Sequence, residues 1–194
     1  MSDVKSQPPQ SGEAFVSYIE ELDSGGRAVL RRSLAFDPGT WPPAFKYVES
    51  WIGAEAGAWE RRVTYLVAGL QALSKGDRYY DDVGAAARAL SAATASQSVE
   101  SRFLSLLDAD SEQLPHRLRQ MIDLMSSQGI APAWAGLRRD VLRWGTEDRW
   151  VQQRWARSYY SVQDEAAKQR GAADSDGSAP AGRNPISEGG KELL

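Results

Sequence analysis

Between Leu137 and Tyr160 the sequence reads LRRDVLRWGTEDRWVQQRWARSYY, which interleaves Arg138, Arg139, Arg143, Arg149, Arg154 and Arg157 with tryptophans and tyrosines. A guanidinium group is a planar, multi-donor fork that stays charged at neutral pH, so a row of them suits phosphate. The same residues also suit an ordinary pair of amphipathic helices whose arginines are merely solvated. The whole chain is acidic, with 26 Asp+Glu against 23 Lys+Arg and a net charge of −3. Its charge is unevenly spread. Residues 115–157 carry Arg117 and Arg119 besides the six arginines above, opposed only by Asp123, Asp140, Glu147 and Asp148. A small acidic average can conceal a local anion-binding field of this kind.

Other chemistry finds little material. The chain has no cysteine, which excludes disulfides, zinc–thiolate sites and thiol nucleophiles. Its single histidine, His116, follows Pro115 in the first turn of a predicted helix and reads as a surface or capping residue. That leaves no Ser/His, Cys/His or multi-histidine constellation. Asp81 and Asp82 form only a pair, whereas a hard cation wants several converging oxygens, so they read as a helix start. The SGGR segment at 24–27 could offer a helix N-terminus to a phosphate. It lacks the lysine and hydroxyl of a phosphate loop, and a flexible hinge is the expectation. The residues support neither an enzyme nor a cofactor.

The elements that must position the arginines are helical nearly throughout. Phe15, Tyr18, Ile19 and Leu22 recur at helical spacing until DSGG breaks the run. Val29, Leu30 and Leu34 mark a second helix. DPGTWPP is a turn leading into a helix over AFKYVESWIG. A long helix is expected from about Trp59 to Lys75, then a small-residue helix over VGAAARALSAATAS. Val99, Phe103, Leu106 and Leu107 share one face of the next. Leu114, Leu118, Met121, Ile122 and Met125 form a stripe that closes at Gly129. A helix is expected from Pro132 to Trp144, with Trp134, Leu137 and Val141 inward and Arg139 and Arg143 together on another face. Thr146 is the candidate N-cap of the last helix, with Glu147 and Asp148 in its first turn. There Val151, Trp155, Tyr159 and Val162 face inward, and Trp150, Arg154 and Arg157 line an adjacent face. Two arginine rows on consecutive helices would thus converge.

No segment alternates with period 2, so the expected class is all-α: two packed helical bundles, at 12–96 and 97–165, split near SAATASQSVE. Residues 1–10 and the Gly/Ala/Ser/Pro-rich stretch 166–194 lack apolar periodicity and are expected to be disordered. No apolar run approaches the roughly 20 residues of a bilayer span, and MSDVKSQPPQSGE lacks the apolar stretch of a signal peptide. A soluble, cytoplasmic protein with no membrane partner is expected.

The succession of SRFLSLLDADSEQLPHRLRQMIDLMSSQGIAPAWAGLRRDVLRW, VQQRWARSYY and the earlier GGRAVLRRSLAFDPGTWPPAF resembles the small, CasB-type subunit of the type I-E CRISPR Cascade complex. The resemblance runs from about Phe15 to Tyr160. It implies an all-helical, non-catalytic subunit, present in two copies along the belly of an RNA-guided complex. Partners implied are the crRNA-coating backbone subunits, the large subunit, the crRNA and the target DNA. A basic surface would help hold the target R-loop, including the displaced strand, while a separate helicase-nuclease cuts.

Carried onto this sequence, the contact residues implied are Arg31 and Arg32 from LRR, Arg102 from RF, and Arg117 and Arg119 from RLR. Arg138, Arg139 and Arg143 follow from LRRDVLRW, with Arg154 and Arg157 from RWAR. Arg102 and Arg154, flanked by core aromatics, are the first candidates for a structural role instead. The net negative charge departs from a strongly basic nucleic-acid binder and implies weak binding outside an assembly. A helical adaptor whose arginines meet acidic protein surfaces is the alternative from another class.

Overall fold

The structure, a computed structural model, describes residues 11–161. The segments expected to be disordered, 1–10 and 166–194, lie outside the described residues, as does Val162 of the last predicted stripe.

The helical class holds. Helix α1 (Gly12–Glu21) starts at Ser11, whose hydroxyl accepts from the Ala14 N–H at 3.2 Å, and buries Phe15 and Ile19. Helix α2 (Ser24–Ser33) starts at Asp23, whose carboxylate accepts from the Gly26 N–H at 2.6 Å. The expected hinge at 24–27 is therefore a capped first turn. Gly26 is buried there because a Cβ would stand 3.1 Å from the Tyr47 ring and 3.2 Å from the Asp23 carboxylate. Glycine at this position serves close packing, not flexibility.

The AFKYVESWIG segment is not one helix. It is a 3-10 turn (Pro42–Ala44), a single turn α3 (Phe45–Val48) and a second 3-10 turn (Glu49–Trp51). Helix α4 (Ala58–Leu73) is the axis of the fold, with every residue from Val63 to Ala72 buried. A helix apolar all round belongs at the centre of a core, and α4 packs against α1 and α2.

After α4 come strand β1 (Arg78–Tyr80), α5 (Val83–Thr94), α6 (Gln97–Leu107), α7 (Leu114–Ser127) and strand β2 (Ile130–Pro132). The chain ends its described part with α8 (Trp134–Leu142) and α9 (Trp150–Tyr160). Asp82 caps α5 by accepting from the Ala85 N–H at 2.9 Å, the helix-start role expected of it. The Ala-rich α5 lies close against α9: a Cβ on Gly84 would stand 1.9 Å from the Trp155 carbonyl oxygen. Around the expected bundle boundary, Ala95 takes φ 49° and Ser96 caps α6. Elements from either side of that turn share buried contacts, α8 with α1 and α4, and α9 with α5.

Two further features depart from the sequence reading. Strands β1 and β2 pair in parallel, Arg78 with Ile130, Tyr79 with Ala131 and Tyr80 with Pro132. Three residues are too few to display a period of 2, so the pairing leaves no pattern in the sequence. Pro132 accordingly ends β2 instead of opening α8. Ala133 keeps extended backbone (φ −63°, ψ 109°), its N–H donating to the Tyr80 carbonyl at 2.8 Å, so the helix starts at Trp134.

The last helix also starts later than expected. The Thr146 hydroxyl donates back to the Arg143 carbonyl at 3.1 Å, so Thr146 closes the turn after α8 and does not cap α9. Arg149 then takes φ 49°, and α9 begins at Trp150.

Candidate nucleic-acid interface

The ten arginines expected to face a nucleic acid divide by what their guanidinium groups touch. Two of them turn to acidic groups of the protein. Arg138 on α8 reaches α4, donating to Glu60 Oε1 and to the Thr64 hydroxyl, both at 3.3 Å. Arg154 on α9 pairs with Asp140 on α8 and stands 3.8 Å from Asp82 at the start of α5. It also lies over the Trp150 ring, 5.3 Å from its centroid. The suspicion of a structural role for Arg154 thus has a geometric basis, and Arg138 shares it.

Asp140 explains why Arg154 is held there. Its carboxylate is buried and accepts from the Trp155 indole N–H at 2.8 Å as well as from Arg154. Burial pushes its carboxyl above the usual carboxylate range, opposed by the Trp155 hydrogen bond and by the Arg154 and Arg139 charges. A buried carboxylate without donors would be costly, so these two side chains keep α8 and α9 in register.

The other eight, Arg31, Arg32, Arg102, Arg117, Arg119, Arg139, Arg143 and Arg157, are exposed. Arg143 is the C-cap of α8, with its Nη1 3.5 Å from the Arg139 carbonyl oxygen. Arg31 and Arg32 occupy the last turn of α2, where the helix dipole favours cations.

Arg119 of α7 donates to the Leu34 carbonyl at 2.7 Å and so joins the C-terminal end of α2. This contact brings together arginines from segments 85 residues apart in the chain.

Three open grooves run past these groups. The first is lined by Ala28, Val29, Arg31, Arg32 and Trp41. The second, of ≈ 260 Å³, lies between the 34–38 loop and α7, with Phe36, Arg62, Glu112, His116 and Arg119 among its walls. The third is lined by Trp59, Ser111, Leu142, Arg143, Gly145 and Thr146. Phe36 stacks on Trp41 with ring planes 4° apart, so this stack separates the first groove from the second. Glu112 on the second groove and Ser111 on the third are adjacent in the chain. The result is a belt with Arg31, Arg32, Arg62, Arg119 and Arg143 along it.

Sequence reasoning missed Arg62 and the aromatic stack. Arg61 and Arg62 are adjacent on α4, and only the structure separates their roles. Arg61 forms an ion pair with Glu49, which also accepts from the Tyr65 hydroxyl. The Arg61 hydrogen bond holds the Glu49 carboxyl below its usual range, with burial opposing it. Arg62 is left to the groove wall. The tryptophans of the opening stretch divide likewise. Trp144 and Trp155 are buried with centroids 5.1 Å apart, while Trp150 sits under Arg154.

Among the described residues no group of three His, Cys, Asp or Glu could hold a metal ion, and no helix is long and apolar enough to cross a membrane. The fold and the belt define a helical protein with guanidinium groups on an open surface.

A family model described as CRISPR-associated protein Cse2 matches residues 26–160. A CRISPR-associated protein Cse2 from Thermus thermophilus is 46% identical over 161 residues, spanning 78% of this chain and 90% of that protein. The crystal structure of M. ruber CasB is similar with a TM-score of 0.69 at 36% identity, over 84% of this chain and 99% of that one. A chain in a solved CRISPR RNA-guided surveillance complex shares the fold, with a TM-score of 0.70 at 20% identity over 82% and 96% of the two chains. The chain belongs to the Cse2 family of CRISPR-associated proteins.

Proposed function

We propose that this chain is a non-catalytic small subunit of an RNA-guided CRISPR surveillance complex, and that its basic belt holds target nucleic acid. The observation that carries the reading is the convergence of Arg31, Arg32, Arg62 and Arg119 on adjoining grooves of a Cse2-family fold. None of the four has an ion-pair partner among the described residues. Phosphate contacts from such groups position a strand without reading its sequence. The belt would thereby steady the target R-loop and its displaced strand whatever the target.

Arg102, Arg117, Arg139, Arg143 and Arg157 extend the same surface in this proposal. Arg138 and Arg154 contribute indirectly, by fixing α8 on α4 and α9 on α8. Two copies of the chain, the crRNA-coating subunits, the large subunit, the crRNA and target DNA complete the proposed assembly, which acts in the cytoplasm. Neighbouring chains would supply part of the binding surface, which accords with a net charge of −3.

Co-purification of the tagged chain with the products of neighbouring genes tests the assembly. The expected result is a complex carrying guide RNA of uniform length. Recovery of the chain with protein partners but without RNA would favour a helical adaptor docking on acidic protein surfaces.

A further inference from the structure

Most large rings of this protein are packed in its core, but Phe36 is not. It is 48% exposed, at the tip of the loop that follows α2. Burial does not hold it; a parallel stack on Trp41 does, with centroids 5.5 Å apart and planes 4° apart. Trp41 itself is half-buried against the core and begins the 3-10 turn at Pro42. The loop between the two rings is fastened by the Thr40 N–H and hydroxyl, which both bond to the Asp37 carbonyl, at 3.1 and 2.7 Å. A large apolar ring is thus held at the surface on a rigid backing.

Guanidinium groups stand on both sides of it. Trp41 lines the groove with Arg31 and Arg32, and Phe36 lines the groove with Arg62, His116 and Arg119. Asp37 and Glu112 are the acidic residues on the second groove's wall. An exposed aromatic flanked by phosphate-binding groups is the arrangement on which unpaired bases stack while their backbone follows the charge. A duplex, whose bases are already stacked, gains nothing from such a ring.

We propose that Phe36, backed by Trp41, is a stacking platform for a base of single-stranded nucleic acid crossing from the Arg31/Arg32 groove to the Arg62/Arg119 groove. The inference rests on the belt binding nucleic acid and adds the side chain that meets the bases of its strand. The platform is indifferent to base identity, since every base has a π-face. It gives a strand displaced from a duplex an advantage over that duplex.

The test uses the full chain at low ionic strength with two single-stranded DNA probes of equal length and charge. One is oligothymidylate; the other has abasic sites in place of its bases. The wild type should bind the base-bearing probe about 5- to 150-fold more tightly, the range expected for stacking one base. Phe36→Ala should erase that preference while leaving the salt dependence intact, and Phe36→Tyr should retain it. Unchanged thermal melting shows that the alanine variant is folded.

Equal binding of both probes by the wild type overturns the platform but leaves the arginine belt standing. So does a preference that survives Phe36→Ala. Binding of neither probe overturns the platform, while the belt is judged separately by target binding of the assembled complex. Loss of co-purifying partners from Phe36→Ala, with DNA binding unaltered, would make Phe36 a protein contact and sink the proposal.

Discussion

Trp155 donates its indole N–H to Asp140 across 2.8 Å, joining α9 to α8 through two buried side chains. Arg154, the preceding residue, reaches the same carboxylate oxygen. One acidic group therefore organises an aromatic and a cation that sequence spacing had assigned to different faces. Trp155→Phe keeps most of the buried ring and removes the donor, and should cost about 1–3 kcal/mol. Trp155→Ala also opens a cavity beside Trp144 and should cost about 3–5 kcal/mol. Denaturant melts of the two variants give the comparison, and a Trp155→Phe variant as stable as the wild type would show that the hydrogen bond contributes nothing.

Gly84 has no room for a methyl group. Its Cβ would stand 1.9 Å from the Trp155 carbonyl oxygen, and backbone cannot rotate away as a side chain can. Gly84→Ala should destabilise the protein by about 3 kcal/mol, the upper end of ordinary overpacking, despite alanine's better helix propensity. A melting temperature equal to or above that of wild type would contradict the close approach of α5 and α9.

Glu49 sets part of the response to acid. Its folded pKa lies below the ordinary value, chiefly through the Arg61 hydrogen bond. Its stabilising contribution is therefore complete above the unfolded carboxylate pKa and disappears as pH falls through the lower folded value. Glu49→Gln should reduce stability at neutral pH and flatten the acid limb of the stability curve. The effect is modest, because the pair is partly exposed. Asp140 has the opposite sign: its raised pKa favours the folded state at low pH and loses that contribution as pH rises. An acid limb unchanged in Glu49→Gln would remove Glu49 from the account.

Arg138 and Arg139 are adjacent in sequence but should behave differently. Arg138→Ala removes the tie from α8 to Glu60 and Thr64 and should cost about 1 kcal/mol. Arg139 is exposed, and Arg139→Ala should leave the melting temperature nearly unchanged. Identical melts for both variants would show that the Arg138 contacts do not stabilise the fold.

Much of this architecture is legible in the sequence because apolar spacing dictates it. Phe15 with Ile19, Leu118 with Ile122 and Met125, and Leu137 with Val141 all bury as their helical periods require. The missed features depend on tertiary contacts. Pro132 looks like a helix start until β1 captures the backbone around it, and Thr146 looks like a cap until its hydroxyl turns back to Arg143. The arginines are harder still. Composition revealed the local excess of charge, but Arg138 and Arg154 meet acids 78 and 14 residues away. Arg62 and Arg119 meet only because α4 and α7 border one groove. No sequence window contains that pairing.

The belt's function is tested most directly by the salt dependence of target-DNA binding, measured on the assembled complex with wild-type chain and with an Arg31→Ala/Arg32→Ala/Arg62→Ala variant. Each phosphate contact contributes about 0.7–0.9 to the slope of log affinity against log salt, so the variant's slope should be shallower by roughly 2–3. The loss should be similar across target sequences, and melting should fall only slightly, through the weakened dipole complement at the end of α2. A variant that assembles normally and keeps both the affinity and the slope of the wild type would contradict the account, leaving these arginines a solvated face.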